Sequence, residues 1–359
     1  MPALRLINPT PLAVTGRMRE LDELKGLAMI LVIIYHIGGI FGWQNWVHGE
    51  VGVDIFLIVS GFTLAHTSKE MPWSLFLRRR LLRIFPAYWV ALGFFILLAR
   101  YFFETRFSTN NLVTHALGIH GVALWDRGAF SAINDSFWFI TLILLMYLVF
   151  LPLRKHLADP SRVLGTGLLL SAIAFWIYDE AQHHGGSSQL VMRIPAFFIG
   201  LVAAQLLTSE RTEFRVTPRL VFGLLAVAYV GWWRGFFWFY AFGGPAVIIA
   251  YFLARQSLLK HPDGRFLLGA LALTGVYSYE IFLFHQPLIR DYNRLFWSRA
   301  LGIDQPNVFQ LGLGILVGLI VTCAISWVLH RATNFLFTAK PKPVVAPLRT
   351  PAPNLPSRP

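Results

Sequence analysis

Residues 24–41 read LKGLAMILVIIYHIGGIF. As a helix this run approaches the ~30 Å thickness of a bilayer core, yet it carries a lysine at 25 and a histidine at 36. Comparable apolar runs recur at 51–67, 84–103, 136–153, 163–178, 190–208, 219–233, 236–254, 266–289 and 309–331. The pattern predicts an all-α fold, a polytopic membrane helical bundle with about ten transmembrane helices. Segment 111–124 is also apolar, but His115 and His120 interrupt it, so it reads as an interfacial or re-entrant piece.

Composition agrees. Hydrophobic residues make up 56% of the 359 and charged residues only 14%, against about 25% charged in a soluble domain, and mean hydropathy is +0.57. A net charge of +13 would point to nucleic acid in a soluble chain. Here the basic residues sit between apolar blocks, so membrane lipid is the expected partner and nucleic acid is not. With the N-terminus in the cytoplasm, the outer segments hold only Arg100, Arg106, Arg127, Arg193, Arg234, Arg290, Arg294 and Arg299 of the 31 lysines and arginines. That bias follows the positive-inside rule and puts both termini in the cytoplasm. Residues 1–23 are polar and read as a cytoplasmic N-terminal segment rather than a cleaved signal. Residues 24–335 form the membrane domain, and the Pro-rich stretch 336–359 reads as a disordered cytoplasmic tail. The single cysteine, Cys323, lies in the last apolar run and can form neither an intramolecular disulfide nor a cysteine-based metal site.

Four places carry polar chemistry inside or beside apolar runs. Lys25 and His36 are separated by about three helical turns, so they share one face with a rise of roughly 16 Å between them. An ionisable group that deep is a functional candidate, with an interhelical hydrogen bond as the bland alternative. Asp54 stands at the start of the run Gly52-Val53-Asp54-Ile55-Phe56 and needs a partner if buried; Ser60-Gly61 follows and can be a small-residue packing contact. Arg78, Arg79, Arg80 and Arg83 cluster before the third span, with Arg80 and Arg83 on one face. They read either as a topogenic anchor or as a clamp for a phosphorylated ligand. Tyr279, Glu280 and His285 lie in the ninth run.

Taken together these segments resemble the acyltransferase-3 superfamily of membrane O-acyltransferases. Lys25 to His36 matches its basic-residue, ten-residue-gap, histidine motif. Gly52 to Phe62 resembles its second-helix signature, Arg80-Leu81-Leu82-Arg83 its Arg-x-x-Arg segment, and Ser278-Tyr279 to His285 its late Ser-Tyr…His signature. Two departures stand out. Lys25 replaces the commoner arginine and loses bidentate geometry. Ser136-Phe137-Trp138-Phe139 enters the fourth span without the glutamate that many members carry there.

The resemblance implies transfer of an acyl group, acetyl above all, from cytoplasmic acyl-CoA to a hydroxyl of a cell-surface or lipid-linked glycan at a bacterial inner membrane. Acyl-CoA is then a co-substrate; no tightly bound cofactor and no metal is expected. His36 and Asp54 are the expected catalytic residues, Lys25, Arg80 and Arg83 the donor-binding ones. Ser60, Tyr279, Glu280 and His285 are candidates for acceptor contact or support. Imidazole suits the role of base because its ordinary pKa lies nearest neutral pH. A competing reading is a proton-coupled transporter or flippase of a lipid-linked sugar, with Asp54, Glu280, His36 and His285 as a relay. The lack of an internal repeat and of Gly/Pro-broken helix pairs disfavours it.

Overall fold

The computed structural model describes residues 4–5, 18–122, 128, 132–183, 190–208, 215–216 and 238–337. Apart from a two-residue antiparallel pairing of Leu4–Arg5 with Arg215–Val216, its regular structure is helical. The main helices are α1 Arg19–Ile40, the short α2 Gln44–Val47, α3 Val51–Thr67, α4 Trp73–Phe103, α5 Thr109–Ala116, α6 Trp138–Leu153, α7 Pro160–His183, α8 Ile194–Thr208, α9 Trp238–Leu258, α10 Pro262–Val276, α11 Ser278–Gln286, α12 Tyr292–Leu295 and α13 Val308–Phe337. An all-helical answer is what lipid demands, since a helix satisfies its own backbone donors and acceptors. Among the described residues, four helices are long and apolar enough to cross a membrane: Arg19–Ile40, Trp73–Phe102, Asp135–His156 and Val308–Leu336. Pro262–Val276 with Ser278–Arg299 makes a fifth if that bent pair counts as one span, and Val51–Thr67 and Ile194–Leu206 are shorter apolar helices. The expected span 219–233 lies outside the described residues.

Two of the boundaries that differ from the sequence reading bear on the site. The run 266–289 is not one helix: it bends by 73° where α10 meets α11, with Tyr277 between them. The Ser278 hydroxyl donates to the Gly275 carbonyl at 2.9 Å there, and Gly275 is pressed against the backbone of Asp22. Hydropathy cannot register a turn made by apolar and small residues. Beyond Pro287 the chain continues through π-helical turns at Pro287–Asp291 and Phe296–Ala300, as expected where proline withholds a backbone donor. The second difference is α4, which begins at Trp73. The arginine cluster therefore rides on the helix itself instead of preceding it.

Segment 109–122 returns alongside α4. The Tyr88 hydroxyl, near the middle of α4, donates to the His115 carbonyl at 2.6 Å, and the Trp89 indole donates to the Ala116 carbonyl at 2.8 Å. Thr141 of α6 holds the following turn by donating to the Gly118 carbonyl at 2.7 Å. About fifteen residues of α4, roughly 22 Å of rise, lie between Tyr88 and the helix end at Phe103. The segment thus folds back along α4, with Gly118, His120 and Gly121 buried and Leu117, Ile119 and Val122 exposed.

Glycines let the helices approach closely. Gly61 of α3 and Gly200 of α8 face each other's helix, and a Cβ on either would collide with the opposite backbone at Phe197 or Ile58. Gly26 of α1 meets Leu271 of α10 in the same way. Such contacts drive helix association in lipid, where apolar burial gains nothing. We predict that Gly200→Leu lowers the thermal unfolding temperature in detergent, with an overpacking cost of about 1–3 kcal/mol or more. Gly93→Ala, at a position with open space around it, should leave that temperature unchanged or higher.

Candidate active site

The first turns of α1, the last turn of α3, the start of α4, the α10–α11 junction and the end of α13 enclose a cavity of about 620 Å³. Lys25, Arg79, Arg83, His66 and His330 supply its basic groups, and Asp22 and Glu280 its acids. A narrower chamber of about 140 Å³ adjoins it, sharing Lys25, Thr63, Arg83, Ser278 and Tyr279. Ser60 and Arg80 line this chamber, and its apolar wall includes Phe56, Phe139 and Phe282. Among the described residues no carboxylate lines the chamber, and its basic groups are Lys25, Arg80 and Arg83.

The helices fix each of these groups. Lys25 Nζ lies 3.3 Å from Asp22 Oδ1, one turn earlier on α1. Arg80 donates to Ser68 Oγ at 2.9 Å and lies over the rings of Phe76 and Tyr147 at 5.6 and 5.8 Å. The Tyr279 hydroxyl donates to the Ile84 carbonyl at 2.8 Å and so ties α11 to α4 beside the arginines. Glu280 pairs with His330 of α13 at 2.9 Å. Of the three sequence candidates for donor binding, Lys25 and Arg83 line both the recess and the chamber, and Arg80 lines the chamber. Of those considered for the acceptor, Tyr279 lines both, Ser60 the chamber and Glu280 the recess.

His36 meets His285 instead. Their ring centroids are 5.1 Å apart, and neither ring lines the two cavities. His285 Nδ1 is 2.8 Å from the Phe282 carbonyl. A carbonyl only accepts, so Nδ1 carries the proton and Nε2 of the neutral ring keeps its lone pair. That Nε2 is buried with no hydrogen-bond partner. Next to the pair is a polar cluster. Asn134 donates to the Leu283 carbonyl at 3.1 Å, and Ser136 Oγ donates to Gln286 Oε1. Gln286 Nε2 donates to Asp135 at 3.1 Å, while Arg290 lies 3.8 Å from Asp135 and 2.8 Å from Asp291.

Asp54 is not in this group. Its Oδ2 accepts from Arg193 Nη1 at 2.8 Å, with both side chains buried. The same Nη1 also donates to the Glu50 carbonyl at 3.0 Å, and the guanidinium lies 5.7 Å from the Trp138 ring centre. Neither Asp54 nor Glu280 is paired with His36: Asp54 is held by Arg193 and Glu280 by His330. Sequence reasoning missed Arg193, which it counted among the outer charges; its position inside the run 190–208 was the available signal. It also missed Glu23, fully buried and held by Arg19 at 2.9 Å, by Arg255 at 2.8 Å and by the Tyr251 hydroxyl.

Residues 18–331 match the family described as an acyltransferase domain. The chain belongs to the acyltransferase-3 family. It is therefore a membrane O-acyltransferase. Among its relatives is BcsY of Komagataeibacter xylinus, provisionally named a membrane-bound transacylase, 26% identical over 89% of this chain and 83% of that one. Another is the peptidoglycan O-acetyltransferase OatA of Listeria monocytogenes, 24% identical over 84% of this chain. This chain spans about half of the length of OatA, 53%. No solved structure matches significantly.

The buried Asp54–Arg193 pair makes a stability prediction. Arg193→Met strands a buried carboxylate and should cost about 3–5 kcal/mol. The double variant Asp54→Asn with Arg193→Met should recover much of that loss. Thermal unfolding of the four proteins in detergent gives the coupling energy, and additive losses would show that the two side chains act independently.

Proposed function

We propose that this acyltransferase takes its acyl group from acyl-CoA in the cytoplasm, acetyl-CoA above all, and delivers it to a hydroxyl of a cell-surface or lipid-linked glycan. The observation that carries this reading is the order of the parts. A basic recess adjoins a narrow chamber, Phe282 lines the chamber, and Phe282 touches His285, which touches His36. The phosphates of the donor suit Lys25, Arg80 and Arg83. Its extended thiol arm then points toward the histidine pair.

In this scheme the acceptor hydroxyl loses its proton to His36 as its oxygen attacks the thioester carbon. The C–S bond breaks, the C–O ester bond forms, and the proton passes from His36 to the departing thiolate, leaving CoA and an acylated glycan. Asp135, Gln286 and Arg290, close to the pair, offer the acceptor donors and acceptors for its other hydroxyls. OatA by name acts on peptidoglycan, and this supports a glycan acceptor here. The positive-inside bias of the loops supports about ten spans with both termini cytoplasmic, in a bacterial inner membrane.

His36→Ala should reduce transfer by about 10²–10⁴-fold while the purified protein keeps its unfolding temperature; full activity would remove His36 from the base role. Sealed vesicles test the sidedness. Label from membrane-impermeant radioactive acetyl-CoA should enter glycan only when the donor reaches the cytoplasmic face. Equal labelling from the opposite face would overturn the donor route.

A further inference from the structure

A chain of three ring contacts links the wall of the donor chamber to the histidine pair. Phe56 and Phe139 are 6.4 Å apart, Phe139 and Phe282 5.1 Å, and Phe282 and His285 5.6 Å, centre to centre. Phe139 and Phe282 are buried, and Phe56 is half-buried. All three line the chamber, and Val59 and Ile143 complete its apolar wall. A ring serving only the core would be packed on every side. These face an open chamber, and Phe282 also touches His285. The basic and hydroxyl-bearing groups of the chamber, Lys25, Arg80, Arg83, Ser60 and Tyr279, anchor the polar part of a ligand, which leaves the ring wall for its apolar end.

We propose that Phe56, Phe139 and Phe282 form the acyl-length filter of this enzyme, admitting acetyl and excluding medium-length chains. The inference rests on acyl-CoA being the donor. The chamber, at about 140 Å³, is less than a quarter of the size of the adjoining recess at about 620 Å³, and its aromatic wall is made of rings that are themselves buried or half-buried. That space takes the thioester end of the arm and a short acyl group. A six-carbon chain must displace the rings, and close-packed side chains yield poorly to added methylenes. One surplus methylene in an apolar pocket typically changes selectivity by about 10–200-fold. The filter sets which donor brings its carbonyl to His36; it takes no part in moving the proton.

The test uses the full chain in membrane vesicles from cells that make it, supplied with radiolabelled acetyl-CoA or hexanoyl-CoA. The readout is alkali-released label from envelope glycan, expressed as the hexanoyl-to-acetyl ratio of kcat/KM. The wild type should strongly favour acetyl. Phe139→Ala and Phe56→Ala should each raise the ratio by about tenfold or more. If Phe139→Ala does not fold, Phe139→Leu and the half-buried Phe56 position give the same sign of change. A wild type that uses both donors equally, or folded variants with an unchanged ratio, would overturn the filter and leave the acyl-CoA reading standing. A wild type that transfers label from neither donor would overturn the acyl-CoA reading and the filter with it.

Discussion

A charged side chain inside a helical bundle has no bulk water to solvate it, so it must be answered by another side chain or by backbone. In this enzyme the answers come from other helices. Asp54 of α3 is met by Arg193, just ahead of α8. Glu23 of α1 is met by Tyr251 and Arg255 of α9, and Glu280 of α11 by His330 of α13. Each pair fixes the rotation and depth of two helices at once, because moving either would strand a charge. Such pairs add little net stability over apolar packing, but losing one partner is costly. They define which arrangement of near-equivalent greasy helices is the native one.

That constraint places the chemistry. The Glu23 network fixes the N-terminal end of α1, two residues from Lys25, and the same helix carries His36 to His285. The Glu280–His330 pair and the Tyr279 hydroxyl hold α11 between α4 and α13, so the arginines of α4 and the serine and tyrosine of α11 converge on one recess. Glycines complete the work by letting α3 reach α8 and α1 reach α10 at backbone contact. The result is a division of labour along the bundle. Cations and hydroxyls gather at one end, and a histidine pair beside amides and carboxylates lies beyond an aromatic wall.

Composition, apolar run length and loop charge were enough to read a helical membrane protein. Four short motifs in order were enough to recognise the family, since run length and residue spacing are properties of the chain alone. The shared face of Lys25 and His36 followed from helix periodicity. The partners did not. Asp54 and Arg193 are 139 residues apart, with α4 to α7 between them, and nothing local to Asp54 selects Arg193 over other cations. His36 and His285 lie still farther apart in the chain. The bend at Tyr277 occurs within an unbroken apolar run, so hydropathy merges two helices into one. Ser60 and Tyr279 were legible as polar candidates, but their place on the wall of the narrow chamber was not. Sequence fixes which residues are ionisable and how deep along a helix they stand. Only the packing of one helix on another decides which buried charges meet and which cavity a side chain lines, because in lipid that choice rests on contacts between segments far apart in the chain.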